Sequence, residues 1–390
     1  MTSAAAPRAT TPLAATIDFA TPDVTSADLA AVARVLARGW LTTGDECAAL
    51  EAELAERLGA PHVVAVSSCT AAIELTLRAL DLPSGARVGV PSWTFVSTAL
   101  PAVHLGAQIV VLDVDPDTLN LSIESLDAVV DSLDVVIPVH FGGVAVHRAV
   151  HERCVAAGVT VIEDAAHALA ARDHRGMVAG QGSAAACFSF YATKNITSGE
   201  GGALVTERAD IAERARSLRL HGLTADAVAR YGPGGPAGYD LVEPGIKANL
   251  PDLLAALGRS QLARLDDLQA RRRRIVRDYR EQLTAVPAVR PVPAQPIDGS
   301  ADHLMVVLLP EGADRDAVRA AMRERGVMTS VHFSPLHRFE WFAKHAEIAP
   351  SGVAVAEAAA DRALSLPLHP ALSHDDVTRV VGALAEALSS

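Results

Sequence analysis

The chain has 390 residues, of which 50% are hydrophobic and 21% are charged, so it can build a large α/β core with an appended domain. Its formal net charge of −12 argues against nucleic-acid and membrane-surface proteins, which need basic patches, and no apolar run is long enough to span a bilayer. The four cysteines are scattered without a C-x-x-C pair, which argues against a metal site and fits the cytoplasm.

The N-terminal residues 1–15 are rich in Ala, Thr and Pro and have no apolar core after a basic start, which predicts a disordered tail rather than a signal peptide. Continuously apolar strands then alternate with helical segments, an order that is typical of a parallel sheet covered by helices on both faces. The predicted strands of this region lie at 62–68, 86–92, 108–114, 134–140 and 159–164.

The rest of the chain predicts a second, smaller unit. We expect a large α/β domain over 16–250, a long charged connecting helix over 251–283, and a small α+β domain over 284–390. The segment "VPAVRPVPAQP" reads as a linker or an edge segment. No internal repeat is visible.

Polar residues follow three predicted strands at the edge where parallel sheets gather functional groups. The first group opens a helix with small residues that let an anion approach the backbone: Ser68, Cys69, Thr70 and Ala71. The second is "VIEDAAHA", which contains Asp164 and His167. Taken singly, each group could be an ordinary helix cap.

The third group holds Ser189 and Lys194 in "FSFYATKNITSGEGG", at the mouth of an apolar strand. A lysine in a partly dry site has a lowered pKa and can form a Schiff base, as the cofactor pyridoxal 5′-phosphate requires. That cofactor also needs a carboxylate at its ring nitrogen, donors for its phosphate and a flat group over its ring. Asp164, the 68–71 helix start with Ser189, and Trp93 could supply these, although Trp93 could equally be a core residue.

With these residues in place, the chain resembles the nucleotide-sugar aminotransferases, the DegT-like branch of the fold-type I pyridoxal phosphate enzymes. The resemblance runs from about Trp40 to the C-terminus. It rests on the stretches "GWLTTG", "VSSCTAAIELTL", "PSWTFVSTA", "VDPDTLNL", "IPVHFGG", "VIEDAAHA", "FSFYATKN", "EGGALVT", "LRLHG", "PGIKANLPDLLAALGRSQL", "HFSPLH" and "LSLPLHP". It implies an α/β large domain with a mostly parallel seven-stranded sheet sandwiched by helices, and a smaller C-terminal α+β domain.

The resemblance also implies roles for individual residues. Lys194 would hold the cofactor aldehyde and carry protons, Asp164 would keep the ring nitrogen protonated, and His167 would sit at the 3′-hydroxyl. Thr70, Ala71 and Ser189 would hold the phosphate and Trp93 would stack on the ring. Asn249 would reach the partner's phosphate in a homodimer with shared active sites, and His332 and His337 would lie near the sugar. The chain departs from the family pattern at Cys69, Ala248 and Pro251.

The implied reaction moves an amino group from L-glutamate, through pyridoxamine 5′-phosphate, to a keto sugar on a nucleoside diphosphate. We expect C4 of a dTDP-4-keto-6-deoxyhexose, with amination at C3 or of a keto-inositol as alternatives. A pyridoxamine-dependent sugar dehydratase would carry histidine in place of Lys194. A nicotinamide oxidoreductase would show G-x-G-x-x-G, whereas the glycine cluster at 232–238 is broken by prolines and reads as a mobile loop.

Overall fold

The structure is a computed structural model that describes residues 16–173, 176–178, 180–224 and 238–389. The predicted tail at 1–15 and most of the predicted loop at 232–238 lie outside these residues. The strands, numbered β1 to β13 in chain order, are His62–Val66, Arg87–Pro91, Gln108–Leu112, Val135–Val136, Thr160–Asp164, Arg172–Asp173, Gly176–Met177, Ala185–Ser189, Gly202–Thr206, Arg290–Val292, Met305–Leu308, Glu347–Ile348 and Ala363–Leu366.

The helices cover both faces of the large sheet and pack on the small one. Numbered α1 to α13 in chain order, they are Ser26–Arg38, Asp45–Leu58, Cys69–Leu80, Leu100–His104, Ile123–Asp127, Arg148–Ala157, Ala209–Leu218, Asp252–Leu262, Leu265–Leu283, Arg315–Glu324, Glu340–His345, Ala354–Ala360 and His374–Ser389.

The large sheet has the strand order β1-β9-β8-β5-β4-β2-β3-β12. The strands from β8 to β12 pair in parallel, and β9 pairs antiparallel with both β1 and β8. The central strands are buried along almost their whole length, because helices cover both of their faces. The predicted parallel α/β sheet is therefore confirmed.

The predicted number of seven strands is wrong, since the sheet has eight. The additional strand is β12, a two-residue segment from the C-terminal part of the chain that extends the outer edge beside β3. Its exposed residues, Glu347 and Ile348, form no apolar run that a sequence pattern could detect.

The connecting helix expected over 251–283 is also wrong in detail, because it is two helices, α8 and α9. The break lies at Arg264, whose backbone leaves the helical conformation at ψ 7°. The Arg264 guanidinium pairs with Asp23 at 3.1 Å and with Asp28 at 2.9 Å, so this break anchors the N-terminal segment of the described chain.

A second sheet follows, with the antiparallel order β10-β11-β13. Helices α9, α10 and α13 pack against it through a cluster of buried apolar side chains that includes Tyr279, Met322 and Leu384. This small sheet lies where its loops can reach the carboxyl edge of the large one, because Trp93 at that edge packs in one cluster with Val306 and Leu308 of β11.

Candidate active site

A cleft of about 460 Å³ opens where the carboxyl ends of β1, β5 and β8 meet the small sheet. A cavity of this size suits a small molecule or cofactor. The structure brings eight of the predicted site residues into its lining: Ser68, Cys69, Thr70, Asp164, His167, Ser189, Lys194 and His332. These residues are far apart in sequence, and the parallel topology gathers them at one edge.

Lys194 occupies a tight loop between β8 and β9. Its backbone N–H donates to the carbonyl of Tyr191 at 2.9 Å, and a bridge between Tyr191 and Gly199 closes the loop. Burial lowers the pKa of the Lys194 amine to about 8. The chain contains two other lysines, Lys247 and Lys344, and both are exposed. Lys194 is therefore the lysine in the chain placed to act as a nucleophile in an enclosed site.

Asp164 ends β5 with its carboxylate held by donors on both oxygens. The Thr98 hydroxyl donates to Oδ2 at 2.7 Å, and the Ala166 backbone N–H donates to Oδ1 at 3.1 Å. The Cys69 thiol lies 3.7 Å from Oδ1. Burial, and then the nearby Asp164 charge, raise the pKa of Cys69 well above its usual value, so the thiol stays neutral. A fixed carboxylate of this kind can hold a protonated ring nitrogen.

The start of α3 faces the cleft with unpaired backbone N–H groups, as helix N-termini do. Ser68 caps it, with its Oγ accepting from the Ala71 N–H at 3.1 Å. This bond occupies the Ala71 donor, and Ala71 is not among the cleft residues. A Cβ at Gly202 would lie 2.6 Å from the Ser68 carbonyl carbon, so glycine is what lets β9 approach this turn. The arrangement suits a phosphate beside Thr70 and Ser189.

Three histidines line the cleft around Lys194. Burial, followed by the Lys194 charge, lowers the pKa of His167 well below its usual value and that of His332 to about 4. The pKa of His303 is also well below its usual value, because of burial and then of His167. The rings of His167 and His303 lie 4.4 Å apart. These imidazoles are therefore neutral at physiological pH, and each can donate or accept a hydrogen bond.

Trp93 does not occupy the place that the sequence predicted. It is 0% exposed, its Nε1 donates to the carbonyl of His332 at 3.1 Å, and its ring packs edge-on against Phe141. The interpretation of Trp93 as the ring-stacking residue is therefore wrong. Two residues further on, Phe95 lines the cleft and is 56% exposed. Its exposed ring can cover a planar ligand in the cleft.

His337 also lies elsewhere. Its Nδ1 lies 2.7 Å from the Ser92 hydroxyl and its Nε2 lies 2.7 Å from Glu357, so the ring links the edge of the large sheet to α12. It is not among the residues that line the cleft, and its predicted role as a substrate residue stays a prediction. His332 and His337 lie in one short motif, "VHFSPLH", and no local pattern in it shows which of the two rings faces the cleft.

Asn249 lies outside the cleft of its own chain. It forms an antiparallel bridge with Val66 at the end of β1, and its Nδ2 donates to the Thr43 hydroxyl at 2.6 Å. Lys247 donates to its Oδ1. The role predicted for Asn249 in a partner's site stays a prediction.

The residues missed by sequence reasoning are Phe95, Thr98 and His303. Phe95 and Thr98 lie in the same motif as Trp93, "PSWTFVSTA", so the motif that pointed to Trp93 was also the signal for these two residues. His303 follows the linker and precedes β11, and nothing in its local sequence connects it with the large sheet.

Comparison with known proteins assigns the chain to a family. Residues 22–385 match the DegT/DnrJ/EryC1/StrS aminotransferase family. The chain belongs to this family. The family predicted from the motifs is therefore confirmed, and so are the fold-type I architecture and the dependence on pyridoxal phosphate.

Solved structures of similar proteins agree with this assignment. The aminotransferase TlmJ from Streptoalloteichus hindustanus is 34% identical with a TM-score of 0.85, over 96% of this chain and 99% of that chain. DesV from S. venezuelae, in complex with a ketimine intermediate, is 30% identical with a TM-score of 0.84, over 97% and 100%. Spr1654 from Streptococcus pneumoniae, described as a sugar aminotransferase and solved in its PMP form, is 28% identical with a TM-score of 0.87, over 96% and 99%.

The aminotransferase cofactor fits the residues that are present. The cleft offers a fixed carboxylate, a helix start with small residues, an exposed aromatic ring and a lysine with a pKa near 8. Among the residues that the structure describes, no group of three or more His, Cys, Asp or Glu side chains is arranged to hold a metal ion. Within the same ranges, no helix has both the length and the apolar character that crossing a bilayer requires.

Proposed function

We propose that this family member transfers the amino group of L-glutamate to a keto sugar carried on a nucleoside diphosphate, at C4 of a 4-keto-6-deoxyhexose linked to dTDP. The products are 2-oxoglutarate and the amino sugar. The observation that carries the proposal is the convergence of Lys194 and Asp164 on one cleft in a chain whose similar structures include sugar aminotransferases.

The proposed roles follow from the contacts. Bound pyridoxal phosphate supplies an electron sink for the electron pair released at the reacting carbon. With the cofactor bound, Asp164 would accept a hydrogen bond from the ring N–H and stabilise its positive charge, and the bonds from Thr98 and the Ala166 N–H hold the carboxylate in place for this role. Lys194 would hold the cofactor aldehyde through Nζ and would serve as the acid and base for the proton at the donor's Cα. Phe95 would cover the ring.

We assign the wall of the cleft that contains His332 to the substrate. His332 contributes a neutral imidazole whose Nδ1 lies 2.9 Å from the Ser365 hydroxyl, and Phe333 lines the same wall. A neutral donor or acceptor beside aromatic rings suits the hydroxyl groups of a sugar. The preference for C4 rests on the likeness of "RLHGLTADAVARYG" and "VEPGIKANLPD" to C4-aminating members, and amination at C3 or of a keto-inositol is the alternative.

The active unit is proposed to be a homodimer in which Asn249 completes the partner's phosphate site. Its position supports this, because Asn249 sits at the end of β1 beside the phosphate-binding turn while lying outside its own cleft. We place the enzyme in the cytoplasm, since its four cysteines are free and buried. Deoxysugar pathways for antibiotics and for the cell envelope both require this reaction class.

The experiment that tests the proposal is a separated half-reaction. The pure enzyme is converted to its pyridoxamine form with L-glutamate, freed of 2-oxoglutarate, and offered dTDP-linked 3-keto and 4-keto sugars. Amine at C4, located by NMR, is the expected product. Product only at C3 would overturn the regiochemistry, and failure with every sugar would overturn the substrate class. Lys344→Ala, which removes an exposed lysine, is the matched control for Lys194→Ala and should retain full turnover.

A further inference from the structure

A buried carboxylate lies on the strand that carries Asp164 and takes no part in the proposed chemistry. Glu163 is 0% exposed and accepts hydrogen bonds from His140 Nε2 at 3.1 Å, His151 Nε2 at 2.8 Å and the Ser183 hydroxyl at 2.7 Å. Burial alone would raise the pKa of Glu163, but the bonds from His140 and then His151 outweigh it, and the pKa lies well below its usual value. The group is therefore a buried anion.

The two histidines that hold Glu163 differ in what else they touch. His140 Nδ1 accepts from the Val146 N–H at 2.9 Å, so its proton lies on Nε2, where it donates to Glu163. His140 also begins a turn over residues 140–143, and its own N–H donates to the carbonyl of Asp164 at 3.1 Å. His151 lies on α6 and bonds Oε1 of Glu163, whereas His140 bonds Oε2.

The turn over 140–143 contacts two of the cleft histidines through one residue. The Gly142 N–H donates to His167 Nδ1 at 3.3 Å, and the Gly142 carbonyl accepts from the His303 N–H at 2.9 Å. Gly142 has φ 63°, a left-handed conformation that favours glycine. Since a neutral imidazole has two tautomers, a donor at Nδ1 leaves the proton on Nε2, the other ring nitrogen of a residue that lines the cleft.

We propose that Glu163 and His140 are positioning residues: their hydrogen bond holds the 140–143 turn in place, so that Gly142 fixes His167 as its Nε2–H tautomer. His167 then offers a donor to the cofactor in a set orientation. The inference rests on the proposed function only for the place of His167 beside the cofactor. The tautomer itself is a property of the protein and can be observed separately.

The test compares His140→Asn with His151→Asn, since each removes one histidine donor from the same buried carboxylate. Asn at 140 can still accept from the Val146 N–H but cannot reach Glu163. In protein labelled with ¹⁵N-histidine, His140→Asn should convert His167 from a single Nε2–H form to a mixture of tautomers, identified by the signal lost in His167→Gln. Its affinity for pyridoxal phosphate should fall about 3- to 10-fold, the equivalent of one hydrogen bond.

His151→Asn should lower stability while leaving the His167 signal and the cofactor affinity unchanged. His140→Gln, whose amide can reach Glu163, should restore part of the tautomer preference. Breaking the His140–Glu163 pair leaves the Glu163 charge buried, which can prevent folding of His140→Asn. In that case the double variant His140→Asn with Glu163→Gln, which removes the charge, takes the place of the single variant in the same measurements. Equal effects of His140→Asn and His151→Asn, or an unchanged His167 tautomer, would overturn the inference. If His167 keeps its Nε2–H tautomer but the enzyme aminates none of the sugars, the result counts against the proposed function and not against this inference.

Discussion

The Thr98 hydroxyl donates a 2.7 Å hydrogen bond to Oδ2 of Asp164, and the Thr94 hydroxyl lies 2.6 Å from that of Thr98. Because Thr98 gives its proton to the carboxylate, it accepts from Thr94, and the two threonines form a relay of hydroxyl groups along the short turn after β2. All three residues are buried. The loop that contains Trp93 therefore reaches the carboxylate of Asp164 through its threonines.

Thr98→Val should lower kcat/KM roughly 10- to 100-fold, because it removes a hydrogen bond to a charged group. Without that bond, Asp164 is less well oriented toward the ring nitrogen. Steady-state kinetics with saturating cofactor measure the effect. Thr94→Val, one step further along the relay, should cost less, and Thr76→Val, which removes a buried hydroxyl bonded to the Ala72 carbonyl, should leave kcat/KM unchanged. If Thr76→Val lowers kcat/KM more than Thr98→Val and Thr94→Val do, the relay is refuted.

In the cofactor-free protein, Lys194 should lower the free energy of unfolding at neutral pH. Its pKa falls from 10.5 in the unfolded chain to about 8 in the folded one, so the folded state disfavours the proton that the unfolded state keeps. This shift corresponds to about 3 kcal/mol below pH 8, and the cost fades to below about 1 kcal/mol at pH 10. Lys194→Met should therefore raise the free energy of unfolding at pH 7 more than at pH 10.

Urea unfolding of both cofactor-free proteins at the two pH values measures this difference. Lys344→Met, at an exposed lysine paired with Glu340, is the control and should show little change at either pH. A Lys194→Met variant less stable than the parent at pH 7 would show that the amine is well solvated in the fold.

Substitutions at Trp93 and Phe95 should show that Trp93 stabilises the core and that Phe95 contributes to cofactor binding. Trp93→Ala removes a fully buried ring and should lower the free energy of unfolding by about 3–5 kcal/mol. Phe95→Ala removes a 56% exposed ring and should cost little stability, yet it should speed cofactor release about tenfold. Thermal unfolding and dilution-induced loss of cofactor absorbance measure the two effects. The reverse pattern would restore Trp93 as the stacking residue.

Much of the fold follows from the sequence, because strands such as β1 and β5 are unbroken apolar runs that end at polar residues. The convergence of Lys194 and Asp164 on one cleft was predictable for the same reason, since each stands at or after the end of such a run. The direction of the Trp93 side chain was not predictable, because β2 ends at Pro91 and a short helical turn follows at 96–98, so strand periodicity does not show which aromatic residue faces the cleft. β12 and the place of His303 depend on contacts between distant segments, which no local pattern contains.

Complementation between two inactive subunits tests the shared site. In a mixed dimer of Lys194→Ala and Asn249→Ala subunits, a site shared across the interface regains one intact set, with Lys194 from one subunit and Asn249 from the other. We expect activity to return on mixing and refolding, measured by 2-oxoglutarate release. If the mixture is as inactive as the two variants measured separately, or if a monomer is active, Asn249 does not complete the site of the partner subunit.

The covalent attachment of the cofactor tests the central claim most directly. The holoenzyme is reduced with borohydride, digested and mapped by mass spectrometry, and the chain offers three lysines to choose from: Lys194, Lys247 and Lys344. The pyridoxyl group should appear on the peptide that contains Lys194, and Asp164→Asn should leave that label in place while abolishing turnover. A label on Lys247 or Lys344, or no label on an enzyme that still transfers amines, would contradict the account.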